Sequence, residues 1–313
     1  MVECCRDSED FRGCGLTKKL FLSAGEGFLG RAVMSHALAA GYQVMGGSRR
    51  LARVLEQKRS LVSVDYFSRA FTTNMLEKLA PDMIIHNAAT TSVDLCEADP
   101  YLAMKNNVLV TQNICEIAKA LAIPVVFIST DQVFDGSRDW YRSTDVVCPI
   151  NVYGATKALG EEYCLEQSSS NAVIRCNFFG LDRSSSNNFC GRIRSACPSD
   201  PVEVNDDIYF NPISIDVLVK RLHSIFVSGP SERVYQFGAR ERINKFELAC
   251  KIADRLGVSR QSLKAVDRNH FSLGASVEDR IARRPRSMAL IDNFHSSKIE
   301  TPSIDQQISE LVI

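Results

Sequence analysis

The sequence lacks the features that mark several large classes of protein. Its eleven cysteines (Cys4, Cys5, Cys14, Cys96, Cys115, Cys148, Cys164, Cys176, Cys190, Cys197 and Cys250) are scattered, odd in number and without a CxxC pair. They read as reduced, buried thiols of a cytoplasmic protein rather than as a disulfide framework or a zinc site. The five histidines lack ligand spacing, and no metal is implied. No segment reaches the ~20 apolar residues of a membrane helix. Residues 1–17 hold Glu3, Arg6, Asp7, Glu9, Asp10 and Arg12 with no apolar run, and are expected to be a polar tail outside the fold rather than a signal peptide. Positive and negative side chains balance at 37 each, which argues against an electrostatic search for nucleic acid or an anionic membrane. No repeat or low-complexity tract is present. What remains is a chain of 313 residues, 45% hydrophobic, long enough to bury one large core or two smaller ones.

Short apolar runs alternate with helical segments, the pattern of a parallel sheet covered on both faces. Leu20–Ser23 is the first strand; the glycine turn Ala24-Gly25-Glu26-Gly27-Phe28-Leu29-Gly30 follows, and helical periodicity begins at Arg31. Strand, glycine turn and helix are the context of a dinucleotide fingerprint, in which backbone approaches a pyrophosphate at a helix N-terminus. A plain strand-to-helix turn has the same pattern, and Glu26 sets a carboxylate where a phosphate would lie. The second strand, from Gln43, ends in Gly47-Ser48-Arg49-Arg50, where two guanidiniums suit a 2′-phosphate and hence NADP. A solvated basic turn is the alternative. Leu61–Asp65 and Met83–His86 are the next strands, with Phe71–Leu79 a crossover helix, and Asn87-Ala88-Ala89 is a small-residue stretch that backbone can lay against a flat ligand. Tyr101–Leu121 is expected to be one long helix, and Pro124–Thr130 a fully buried strand ending at a hydroxyl.

Tyr153 and Lys157 stand four positions apart in a helix-compatible segment, so both leave one helix face. A cation beside a phenol favours the phenolate and would draw its pKa below ~10, towards exchange of a proton with a substrate oxygen. Solvated helices also carry this spacing. In an open α/β sheet ligands bind beyond the carboxyl ends of the strands, which sets Thr130 in the cleft with Tyr153 and Lys157 nearby. Past the strand Ala172–Arg175 the alternation fades. A helix, Ser214–Phe226, a strand, Val234–Gly238, and an amphipathic core helix, Lys245–Leu256, follow, and Arg280, Arg283, Arg284 and Arg286 fit either a nucleotide diphosphate or a basic surface turn.

The block Ser129-Thr130-Asp131-Gln132-Val133-Phe134-Asp135-Gly136, with Tyr141, Asp145, Pro149, Asn151–Lys157 and Gly160-Glu161, resembles the extended short-chain dehydrogenase/reductase family. Within it the chain is similar to the NDP-sugar reductase branch typified by dTDP-4-dehydrorhamnose reductase. The resemblance runs over roughly residues 19–300. It implies an α/β fold: a Rossmann-type, doubly wound parallel sheet over residues 18–183 and a smaller α/β substrate-binding subdomain over 184–313, with the chain returning to the first near 213–238. It implies Tyr153 as proton donor, Lys157 as the group that lowers its pKa and binds the nicotinamide ribose, and Thr130 as the hydroxyl that polarises a carbonyl. Gly25, Gly27, Phe28, Leu29, Gly30, Arg49, Arg50, Asp65, Asn87, Ala88 and Ala89 fall where the family holds NADP. Val93, Asp94, Asp131, Gln132, Asn188 and Arg286 fall where it lines a nucleotide-sugar pocket. The implied activity is NADPH-dependent reduction of a 4-keto deoxysugar, with a nucleotide-sugar substrate as partner and a homodimer as the candidate assembly. Three departures stand out: Ala24 replaces the usual first glycine, Gln132 a common Tyr, and Arg175–Gly180 is a residue short and lacks a Trp. The beta subunit of methionine adenosyltransferase resembles the same family, so a non-catalytic regulatory subunit is an alternative. An epimerase or dehydratase is another, which Arg49-Arg50 disfavours.

Overall fold

The computed structural model describes residues 18–49, 60–182, 188–267, 282–294 and 300–311. Seven strands form the central sheet: β1 (Lys19–Leu22), β2 (Gln43–Ser48), β3 (Leu61–Ser63), β4 (Met83–His86), β5 (Val125–Ser129), β6 (Ala172–Cys176) and β7 (Val234–Phe237). All pairings are parallel, in the order β7-β6-β5-β4-β1-β2-β3. Every residue of β4, β5 and β6 is buried, as unbroken apolar runs covered on both faces require. The strand order reverses between β1 and β4, where Leu22 lies beside Ile85. That is the switch point at which such sheets open a crevice.

The helices are α1 (Phe28–Ala39), α2 (Arg69–Leu79), α3 (Val93–Ala98), α4 (Pro100–Ala103), α5 (Val110–Ala120), α6 (Val152–Gln167), α7 (Phe189–Arg194), α8 (Ile215–Ser228), α9 (Lys245–Leu256) and α10 (Ile304–Ser309). One face of the sheet packs on α1 and α8, the other on α2, α5 and α6. The α/β, doubly wound, Rossmann-type architecture expected from the sequence is thus the one observed. A further core gathers Leu248, Ala249, Ile252 and Ala253 of α9 with Cys190 and Ile193 of α7 and Ile304 and Ile308 of α10.

The single long helix expected over Tyr101–Leu121 is corrected. A π-helical segment, Met104–Leu109, separates α4 from α5. Asn107 there holds Thr90 through both ends of its amide, accepting from the Thr90 N–H at 2.7 Å and donating to the Thr90 carbonyl at 3.1 Å, contacts that stabilise the wide turn. The described cysteines are free thiols, but Cys148 and Cys197 are exposed rather than buried.

A buried ion pair joins α6 to β6. Arg175 and Glu161 are each 5% exposed and meet at 2.7 Å, and Glu161 also accepts from Ser129 at 2.5 Å. Arg175→Met would leave Glu161 buried without its counter-ion and should cost about 3–5 kcal/mol in urea unfolding. Between α1 and α8 the rings of His36 and His223 lie 4.9 Å apart, each with an enclosed Nε2 that has no hydrogen-bond partner. Burial, then the neighbouring His36, lowers the His223 pKa from 6.5. Between that lowered value and ~6.5 the unfolded chain binds more protons, so this contribution to stability is lost as pH falls through the window. His223→Phe should therefore show a smaller drop in Tm than the wild type between about pH 7.5 and about pH 5.5.

Candidate active site

The turn after β1 is pressed against its neighbours. A Cβ on Gly25 would stand 2.4 Å from the Gly46 Cα, and one on Gly30 2.0 Å from the Ala24 carbonyl oxygen. Neither position admits a side chain, and backbone is left bare at the start of α1. Ala24 is accommodated: its N–H donates to Asn87 Oδ1 at 2.9 Å and its carbonyl accepts from Asn87 Nδ2 at 3.0 Å. Gly27 caps α1 without a side-chain contact, and no acidic residue lies in the first turn. Glu26 is half-buried; its carbonyl accepts from Arg31, whose guanidinium also pairs with Asp182. Phe28 packs 6.1 Å from Phe178, joining this turn to the segment after β6. Arg49 is exposed at the end of β2, whereas Arg50 lies outside the described residues. Asp65 is exposed after β3 and accepts the Phe67 N–H at 3.1 Å. Bare backbone, an open helix start with its positive dipole end and a cation beyond β2 fit a dinucleotide.

The second group of residues gathers at the carboxyl end of β5. Thr130 Oγ1 donates to Asp131 Oδ1 at 3.0 Å and accepts the Gln132 N–H at 3.2 Å. The other Asp131 oxygen accepts from Asn177 Nδ2 at 3.0 Å. Asp131 is 1% exposed, and burial raises its pKa, opposed by Asn177, by the Lys245 charge and by Thr130. Tyr153 is buried beside Cys96, Ala103, Val93 and Val152. The Lys157 ammonium donates to the Ile128 carbonyl at 2.7 Å and sits 3.9 Å from the centre of the Phe127 ring.

This arrangement reverses one expectation. Burial first, and the Asp131 charge second, push the Tyr153 phenol well above its ordinary value; a hydrogen bond with the Thr130 hydroxyl pulls the other way. Lys157 is turned to Ile128, and burial lowers it to about 7 against the raising effect of Glu161. Desolvation therefore dominates the Tyr153 proton, which stays on the oxygen at neutral pH.

The remaining sites divide. Gln132 is buried and accepts from Asn151 Nδ2 at 3.0 Å, while Asn151 Oδ1 caps α6 through the Gly154 N–H at 2.8 Å. Asp94 reaches across to the C-terminal segment, accepting from Arg284 at 2.7 Å and from the Ala282 N–H at 3.3 Å. Asn188 caps α7, accepting from the Gly191 N–H at 2.7 Å and donating to the Gly180 carbonyl at 3.1 Å, so both ends of its amide do structural work. Arg286 is exposed, and its carbonyl accepts the Tyr209 N–H at 2.8 Å. Neither of the last two joins the Tyr153 group. Asn177 and Lys245 do join it through Asp131, and sequence reasoning missed both. Asn177 lies in a segment already marked as short, but Lys245 reads only as the start of a core helix.

Asp131→Asn removes the charge that raises Tyr153 while keeping the shape of the side chain. The phenol should then titrate at lower pH in an NMR titration of isotope-labelled tyrosine. An unchanged titration would mean that burial alone sets it.

Comparison with known proteins places these features in a lineage. Residues 18–306 match the family model described as the RmlD substrate binding domain. Methionine adenosyltransferase 2 subunit beta of Rattus norvegicus is 26% identical over 306 residues, covering 93% of this chain and 84% of that protein. The dTDP-4-dehydrorhamnose reductase of Salmonella typhimurium is 31% identical over 179 residues, covering 54% of this chain and 59% of that one. Among solved structures, dTDP-4-dehydrorhamnose reductase from Bacillus anthracis str. Ames, in complex with NADP, superposes with a TM-score of 0.79 at 21% identity, over 95% of this chain and 99% of that one. At that identity the likeness shows the fold. The chain belongs to the RmlD substrate-binding-domain family, within the extended short-chain dehydrogenase/reductase-like proteins.

Proposed function

We propose that this protein binds NADPH and reduces the 4-keto group of a nucleotide-activated deoxysugar. The observation that carries this reading is the docking of the first turns of α6, which bear Tyr153 and Lys157, on the carboxyl end of β5 where Thr130 stands, with the Lys157 ammonium 2.7 Å from the Ile128 carbonyl and Gly154 pressed on the Gln132 carbonyl. Bound NADPH would supply hydride to the carbonyl carbon. Thr130 would turn its hydroxyl proton from Asp131 Oδ1 to the carbonyl oxygen, and Tyr153 gives that oxygen its proton. The phenol is protonated at neutral pH, as a reduction needs, and burial makes it a weaker acid than a free phenol, so its proton leaves only to an oxygen on which charge develops. Lys157, near half-charged at neutral pH, supplies a cation to a ribose and to the phenolate left after proton transfer. Gly25, Gly27, Phe28, Leu29, Gly30, Asn87, Ala88 and Ala89 would hold the dinucleotide, and Arg49 its 2′-phosphate.

A second reading rests on a different observation. The alignment with the rat relative covers 93% of this chain, and that protein is named as the beta subunit of methionine adenosyltransferase 2. Under that reading the cleft binds a dinucleotide or a sugar nucleotide for assembly with another protein, and Tyr153 performs no chemistry.

Incubation with NADPH and a panel of NDP-4-ketosugars separates the two. The reductase reading expects loss of NADPH absorbance with at least one sugar, and a fall of about 10²–10⁴-fold with Tyr153→Phe. Clear NADPH binding without turnover of any of them would leave the subunit reading. Arg49→Ala should weaken NADPH by roughly tenfold or more and NADH far less, measured by calorimetric titration. Equal losses would assign Arg49 to something other than the 2′-phosphate.

A further inference from the structure

His86, the last residue of β4, is fully buried and lies directly beneath the glycine turn. Its ring has two partners. Nδ1 meets Ser23 Oγ at 2.7 Å, and Nε2 meets Thr111 Oγ1 at 2.9 Å. The directions of these bonds follow from what surrounds them. The Thr111 hydroxyl donates to the Asn107 carbonyl at 2.6 Å, so it accepts from the ring, and the ring proton is on Nε2. Ser23 Oγ accepts the Asn87 and Ala88 N–H groups, each at 2.9 Å, so its own proton goes to Nδ1. The other acceptor within its reach, Asn87 Oδ1 at 3.4 Å, already takes the Ala24 N–H at 2.9 Å. One neutral tautomer satisfies every group.

We propose that His86 is a positioning residue for the loop Asn87–Ala89: through Ser23 it holds the two amides of that loop, and through Thr111 and Asn107 it ties them to the helix bearing Tyr153. The second branch passes through Asn107 itself, whose backbone carbonyl takes the Thr111 hydroxyl and whose side chain goes on. Asn107 Nδ2 donates to the Thr90 carbonyl and, at 3.0 Å, to Thr156 Oγ1, whose hydroxyl donates to the Tyr153 carbonyl at 2.9 Å. The first branch extends to Tyr66, whose hydroxyl donates to the Ser23 carbonyl at 2.6 Å. The turn after β1, the loop after β4 and the first turns of α6 are thereby linked through one largely enclosed network, in which loss of the ring removes a partner on both sides. Burial, reinforced by the nearby Lys157 charge, lowers the His86 pKa to about 3. The ring therefore stays neutral at physiological pH, and its role is geometric. An ordinary core histidine would contribute stability alone; this ring also orients backbone that faces the dinucleotide, a consequence that rests on the NADPH reading above.

The test compares wild type, His86→Phe and Thr111→Val. In the first variant Ser23 and Thr111 both lose their bond to the ring; in the second the ring keeps Ser23 and loses only the acceptor of its Nε2–H. Amide hydrogen exchange at Asn87 and Ala88 should accelerate by about tenfold or more in His86→Phe, with β6 unchanged, and less in Thr111→Val. NADPH affinity should fall in the same order, by about tenfold in His86→Phe. Imidazole nitrogen shifts in the wild type should report the neutral Nε2–H form. If His86→Phe fails to fold, the same exchange and affinity measurements on Thr111→Val decide. A lower Tm with wild-type exchange at Asn87 and Ala88 and wild-type NADPH affinity would overturn the proposal and leave His86 as core packing. Should the wild type itself fail to bind NADPH, the cofactor reading falls, and the exchange measurement alone decides the role of His86.

Discussion

The site depends on how closely α6 lies against β5. A Cβ on Gly160 would approach the Phe127 ring to 2.8 Å, and one on Gly154 would come within 2.2 Å of the Gln132 carbonyl oxygen, so two bare positions let the helix sit directly on the strand and its extension. Three polar contacts then fix its register: Lys157 to the Ile128 carbonyl, Glu161 to Ser129, and Glu161 to Arg175 of β6. These groups are buried and have no water to fall back on, so each contact is far more favourable made than broken. Tyr153 inherits its place beside Thr130 from that docking.

The same enclosure sets the electrostatics. Tyr153 and Asp131 are both raised by burial and Lys157 is lowered by it, so the pocket pushes each of the three towards its neutral form. Asp131 adds to the burial shift of Tyr153, Thr130 opposes it, and Asn177 and Lys245 oppose the shift of Asp131. A pocket of this kind keeps the proton on Tyr153 until charge develops on a neighbouring oxygen, with Lys157 one helical turn away. The turn after β1 and the loop after β4 are built differently, from bare backbone and the Ser23–His86 junction.

Much of this was legible in the sequence. Val125–Ser129 reads as a buried strand because it is an unbroken apolar run, and α9 because its apolar residues recur at helical spacing. The glycine turn is legible because a strand precedes it and a helix follows. Other features were not. The π-helical break before α5 leaves apolar periodicity nearly intact; it follows from Asn107 reaching Thr90, a contact no local pattern encodes. Lys245, far along the chain, meets the charge of Asp131 only in the folded molecule. The direction of the Tyr153 shift is not legible, because spacing reports that a cation is near but not how deeply the phenol is buried. Asn188 looked available for a ligand because its two backbone partners cannot be read from sequence.

Membership of the RmlD substrate-binding-domain family fits either a reductase or a subunit, and the difference comes down to whether Tyr153 delivers a proton while hydride arrives at the same carbonyl. Transfer of deuterium from deuterated NADPH to an NDP-4-ketosugar, followed by NMR of the sugar, measures this most directly. The account predicts label on the former carbonyl carbon with the wild type and almost none with Tyr153→Phe under conditions where both bind NADPH. Label appearing equally with both proteins, or with neither while NADPH is bound, would contradict it.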